Sequence, residues 1–470
     1  MLIRAAEVAG CAPLDVRIAG GRIAEIGAGL SRARGEPDLD ARGGALLPGL
    51  HDHHVHLHAL AAAQTSIACG PPAVMNADQL AAALRRAAQR GGGWLRGVAY
   101  HESVAGPLAR EQLDAWVADR PVRVQHRSGA LWVLNSAGVA ELERAGACWP
   151  DGAERDARGR LTGRLFRADA WLRERLRGAL PDLAAVGAQL AAFGVTGATD
   201  ASAANDRAAL RHLCDAAGRG ALPQQLLVMG EPDLPEPACA RTARGAVKAL
   251  LDDRSLPDFG AFCARIRAAH GAGRAYAVHC ATRAQGLFAA AAFREAGTRR
   301  GDRLEHASVA PPELVALAAE LGLAVVTQPH FIAERGDDYR RDVDPADLPW
   351  LYRAQGWLAA GVPLAAGSDA PYGSSDPWQG IAAAVRRASA SGAVLGAGEA
   401  LTPEQAFALY SAPLGDPGGP ARGVTAGAAA DLCLLDRPWR DARARLSSED
   451  VRATWCAGEL VWQRGGEPGK

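Results

Sequence analysis

Lysine is almost absent from this chain. Of its 52 lysines and arginines, only Lys248 and Lys470 are lysines. An interior lysine kept in such a background points to chemistry that arginine cannot do, because a guanidinium stays protonated and is a poor nucleophile. Paired cysteine spacing is missing as well. The nine cysteines are scattered, odd in number and without a Cys-x-x-Cys pair, which reads as free thiols in a reducing compartment. No apolar run is long enough to span a bilayer. The start, MLIRAAEVAGCAPLDVRIAGG, lacks the continuous apolar core of a secretory leader, so a cytoplasmic location is expected. Net charge is absent too: 52 acidic residues balance 52 basic ones. That balance argues against nucleic acid or an anionic membrane as partner. A small-molecule substrate is the expected partner, and a homo-oligomer is compatible with this composition.

What is present is a repeating rhythm. A length of 470 residues is too great for one ordinary domain but suits a large barrel with a smaller companion. Residues 1–47 read as short strands, with VRIAGGRIAEIG alternating around a Gly-Gly turn. The stretch 413–470 reads similarly through AADLCLLD and VRATWCAGELVW. The two ends are expected to build one small β-sandwich. Between them, 48–412 alternates short apolar runs with helical segments, the signature of parallel βα units. Eight candidate strands fall at 45–57, 194–202, 223–230, 245–252, 274–280, 303–308, 324–330 and 362–370. Eight is the number that closes a (β/α)₈ TIM-like barrel. The gap at about 60–190 is then an insertion, with strand-like WLRGVAY and PVRVQH inside it.

Five of the eight strands carry metal-competent side chains near their ends: His54 and His56 on the first, Lys248 on the fourth, His279 on the fifth, His306 on the sixth and Asp369 on the eighth. In a parallel barrel these ends meet at one mouth. His54 and His56 are two apart, so on a strand both point the same way and can bind one ion. Taken singly, each residue has a plainer reading. A histidine-rich run can be a solvated loop, His279 and His306 can be core histidines, and Asp369 can be a helix cap. Joint placement at strand ends makes the metal reading the better one. Lys248 is the internal lysine. Its amine can take up carbon dioxide to give a carbamate, whose two oxygens can bridge two cations. The plainer alternative is a salt-bridged lysine beside a single ion. Imidazole and carboxylate ligands suit zinc and are compatible with iron, manganese or nickel.

The blocks PGLHDHHVHL, YAVHC, RLEHA and AAGSDAP resemble those of the amidohydrolase superfamily. LWVLNSAGV, VKALLD and TQPHF are similar to its amidohydrolase 3 branch, which includes N-substituted formamide deformylase. The likeness spans nearly the whole chain. It implies that His54, His56 and Asp369 hold one metal, that His279 and His306 hold the other, and that carboxylated Lys248 bridges the two. It also implies a metal-bound hydroxide nucleophile, with Asp369 as the catalytic proton shuttle. The expected activity is hydrolysis of a non-peptide C–N bond in an amide, an N-formyl compound or a cyclic amide.

Three places depart from the branch pattern. Ala130 stands where a histidine is common, although His126 is near; CATRAQ replaces a Gly-Asp-Arg run; and TGRLFRADA lacks a glutamate. These fall in loops expected to shape the pocket, so they bear on substrate and leave the ligands intact. His330 and Arg283 are further candidates for substrate contact, with a loop histidine and a helix-surface salt bridge as their plainer readings. His51, His53 and His58 are expected off the metal axis. The alternative activities are deamination of a heterocycle and a non-catalytic scaffold. Related deaminases usually carry a glutamate three residues after the fifth-strand histidine, where this chain has Thr282. Scaffold relatives tend to lose ligands, and all six are present here.

Overall fold

The computed structural model describes residues 1–146, 148–176, 180–253 and 255–465. The chain forms two compact units, one from 1–57 with 182–470 and one from 58–181.

The larger unit contains eight parallel strands in chain order. They are β1 (Leu50–Val55), β2 (Val195–Asp200), β3 (Gln225–Gly230), β4 (Thr242–Leu250), β5 (Tyr276–Cys280), β6 (Arg303–His306), β7 (Ala324–Thr327) and β8 (Leu364–Ala366). Each falls within or against one of the eight runs expected from sequence. Several are buried at every position, as β1, β2, β6 and β7 are. Covered on both faces, they show no alternation of buried and exposed positions. Helices such as α1 (Arg207–Gly218), α2 (Phe259–Gly271), α3 (Arg283–Ala296), α4 (Pro312–Leu321) and α5 (His330–Asp342) link the strands.

Ladders join every neighbour from β1 to β8, and single hydrogen bonds tie β8 back to β1. Asp369 N donates to His54 O at 2.7 Å and His56 N to Ala370 O at 2.9 Å. Ser368 N donates to the Asp52 carboxylate at 2.9 Å. Gly367 makes this approach possible: a Cβ there would sit 2.6 Å from His54 Cβ. The nearly closed parallel barrel is thus finished at the point where three of the candidate ligands lie.

Both chain ends enter one eight-stranded sheet. Leu432–Leu435 pairs antiparallel with Ala45–Pro48, which itself runs parallel to Leu2–Val8. Ile3, Val16, Ile23 and Leu46 from one end share a core with Leu432, Leu434 and Trp455 from the other. The unit 58–181 has its own six-stranded sheet and its own apolar clusters. The two strand-like pieces foreseen there are strands, Leu95–Tyr100 and Val122–His126. No helix among the described residues is long and apolar enough to cross a membrane.

Candidate metal centre

His54 and His56 leave the C-terminal end of β1 and both turn Nε2 toward Asp369. Asp369 Oδ1 lies 3.4 Å from His54 Nε2 and 3.1 Å from His56 Nε2. One ligand atom from each of the three lies within 4.8 Å of the others. The opposite nitrogens are occupied. His54 Nδ1 meets Glu305 Oε2 at 2.5 Å, and His56 Nδ1 meets Ser202 Oγ at 2.9 Å. Partners on Nδ1 fix the tautomer and leave Nε2 as the ligand atom. Asp200, at the end of β2, accepts from Leu57 N at 2.9 Å and so anchors the chain as it leaves His56.

The remaining imidazoles line up beside this trio. The His306 ring lies 4.7 Å from that of His54 and 4.6 Å from that of His279. His306 Nδ1 meets Gln328 Oε1 at 2.7 Å, so again one nitrogen is held from behind. His306 and Asp369 share an unusual backbone, with φ of 69° and 50°. Non-glycine residues reach this left-handed region at a cost, and such positions cluster at functional sites.

Lys248 lies on β4, buried, with Nζ 3.7 Å from Glu305 Oε1. That is beyond hydrogen-bond reach, and the amine has no hydrogen-bond partner among the described residues. Burial pulls the ammonium down to about 8, with Arg303 adding to the effect and Glu305 opposing it. Burial likewise pushes His306 down to about 3. Burial and Lys248 push His54 down too, yet Glu305 and Asp369 hold it above the ordinary imidazole value. Burial would raise Asp369, but bonds from His54 and His56 keep it well below the usual carboxylate range. A set of neutral imidazole nitrogens, a carboxylate oxygen and an unbonded amine fits a divalent ion such as zinc.

All six side chains named from sequence as metal ligands lie at the C-terminal ends of barrel strands or just beyond them. Of the other two site candidates, His330 reaches the end of the eighth strand, where it bonds the Ser368 backbone and feels the Asp369 charge. His330 opens α5, buried, with Nε2 unpartnered. Arg283 opens α3, half-exposed, and pairs with Asp347 at 3.4 Å, its plainer reading. Sequence reasoning missed Glu305. This wholly buried carboxylate accepts from His54 on one oxygen and from Arg303 Nε, at 2.6 Å, on the other. Its only signal was its place inside the RLEHA block. Ser202, Gln328 and Asp52 were also passed over, although each lies within three residues of a strand end already singled out.

A model of the amidohydrolase family, amidohydrolase 3 type, matches residues 39–462. The chain belongs to the amidohydrolase family. It is a metal-dependent hydrolase acting on carbon–nitrogen bonds. This amidohydrolase is 28% identical to the N-substituted formamide deformylase of Arthrobacter pascens, over 96% of this chain and 95% of that one. Among solved structures, it resembles a metal-dependent hydrolase from Pyrococcus horikoshii OT3, with a TM-score of 0.73 at 19% identity. That match covers 93% of this chain and 98% of the other. The N-isopropylammelide isopropylaminohydrolase of Burkholderia multivorans shares the fold at a TM-score of 0.56 and 17% identity, over 99% and 98% of the two chains.

Proposed function

We propose that this amidohydrolase cleaves a non-peptide C–N bond in a small amide, with N-formyl amines as the first class to test and cyclic amides next. The formamide deformylase likeness along the full chain supports that choice. The observation that carries the assignment is the buried, unbonded amine of Lys248 beside the imidazole row. A lysine whose ammonium is drawn down to about 8 has free amine to react with carbon dioxide near neutral pH. The resulting carbamate oxygens would bridge two ions. His54, His56 and Asp369 would hold one ion, and His279 and His306 the other. Bound divalent metal supplies hydroxide near neutral pH and polarises the scissile carbonyl.

The chain's own groups do the rest. Asp369 Oδ1, set between two imidazole Nε2 atoms, takes a proton from the attacking water and returns it to the leaving nitrogen. Glu305 holds His54 through Nδ1, and Ser202 holds His56. His330 Nε2 is read as a substrate contact. We keep Arg283 outside the machinery, because Asp347 already pairs it. Thr282 stands where related deaminases carry glutamate. Its Oγ1 donates to Asp253 at 2.8 Å and caps α3, so the side chain at that position is a capping hydroxyl and not the glutamate of those deaminases.

We place the enzyme in the cytoplasm, in keeping with its nine free cysteines. It would act there on a small molecule without a nucleic-acid or membrane partner. We divide the chain into a barrel at 48–412 that carries an insertion at about 60–190, and a small terminal β-sandwich of 1–47 and 413–470, a reading supported by the core the two ends share within one eight-stranded sheet. The test is a panel of N-formyl amines, N-acyl amines, cyclic amides and amino-heterocycles, offered to metal-loaded enzyme. Release of carboxylate and amine from the first three classes is expected. Ammonia from heterocycles, with no acyl hydrolysis, would overturn the proposal in favour of deamination.

A further inference from the structure

At the end of the barrel opposite the ligands, the N-terminal ends of β4, β5 and β6 frame a cavity of about 260 Å³. Its wall carries five arginines, Arg244, Arg274, Arg299, Arg300 and Arg303, against one acid, Glu236. In a chain whose charges balance overall, this is a local excess of positive charge.

Three of the five are neutralised. Arg244 pairs with Glu236, Arg300 meets Asp416 at 2.8 Å, and Arg303 Nε donates to Glu305 at 2.6 Å. The other two have only backbone carbonyls. Arg274 donates to those of Gly245, Ala246, Glu231 and Pro232, and Arg299 to that of His270. Neither has a carboxylate within ion-pair distance among the described residues. Arg274 is 4% exposed, so its charge has left water, answered by those carbonyl dipoles and at longer range by Glu236 and Asp233. Burial, with Arg244 adding to it, pulls that guanidinium down to about 10. A buried charge that is offset only in part is costly. A concave wall of one sign concentrates the field that draws in a counter-ion. Guanidinium groups present paired N–H donors that match the spacing of oxyanion oxygens.

We propose that this cavity is a binding site for a small dianionic oxyanion of the phosphate or sulfate class, separate from the metal centre. Arg303 would supply donors at its floor and Arg244 and Arg299 at its rim, while Arg274, with four of its five N–H groups given to carbonyls, would add charge beneath it. The shared chemistry is a tetrahedral oxyanion, whether free or as the end of a phosphorylated metabolite.

The test is calorimetric titration of the full, metal-loaded chain with inorganic phosphate, sulfate, a simple phosphate monoester and succinate. Ionic strength is held constant with chloride. Arg299 is exposed and holds a single carbonyl, so Arg299→Gln should keep the fold and the metal content; Arg244→Gln is the second variant. Phosphate and sulfate should bind the wild type, and each variant should weaken them by about tenfold, the loss of one charge-assisted contact. Tighter binding of the monoester would assign the site to a phosphorylated metabolite, and equal or weaker binding would assign it to the free anion. No binding by the wild type, binding of succinate alone, or equal binding by wild type and both variants would overturn the proposal. The last result would place the anion away from these arginines.

Discussion

Replacing Glu305 by glutamine tests the buried network most directly, since shape is kept and one negative charge is removed. The carboxylate accepts on both oxygens, from His54 at 2.5 Å and from Arg303 at 2.6 Å. An amide accepts on one oxygen only, so one of those donors would face an N–H. Lys248, 3.7 Å away, also loses its anion. At an effective dielectric near 20, a unit charge at that distance is worth about 4 kcal/mol. Removing one partner of a buried charged network costs about 3–5 kcal/mol overall. E305Q should therefore lose roughly that much stability at pH 7, read from urea unfolding of metal-free protein. Loss of the group that orients His54 should also weaken metal binding by about 10- to 100-fold, read by chelator competition. The pH dependence has a definite sign. His54, Arg303 and Lys248 hold Glu305 well below the ordinary carboxylate value against the opposing effect of burial. Its contribution is thus present above the unfolded value of about 4.3 and fades as pH falls below it. The stability gap between wild type and E305Q should shrink on acidification through that range. Wild-type stability and metal affinity in E305Q would refute the reasoning.

The other predictions concern the ligands and the barrel seam. Lys248→Ala should lose bound metal and activity, with partial recovery in a short carboxylic acid, while Lys248→Arg stays inactive; full activity in the arginine variant would remove the carbamate. Asp369→Asn should keep the fold by circular dichroism and lose at least about 100-fold in turnover, the scale of a missing proton shuttle. Gly367→Ala should cost about 1–3 kcal/mol and lower metal content, because its Cβ would press on His54; an unaltered unfolding midpoint would count against the seam as drawn.

The sequence alone determined the parallel βα rhythm, the eight strand positions and the six strand-end residues. Buried parallel strands are short apolar runs, and side chains of ligating type at their ends are conspicuous against such a background. Lys248 was legible for a compositional reason, as the one internal lysine in an arginine-rich chain. What holds those residues in place was decided only in three dimensions. Arg303 and Glu305 are two apart and share the barrel interior, so strand alternation would turn His306 away from them. The positive φ of His306 breaks that alternation and brings both the acid and the imidazole to one site. The same kind of backbone turns Asp369 toward His54 and His56, and Gly367 lets the last strand close on the first. Ser202 and Gln328 come from neighbouring strand ends, at positions where a polar residue looks like an ordinary loop. Periodicity reports which face a side chain takes in regular structure. It does not report where the chain leaves regular structure, and here the ligand geometry depends on those departures.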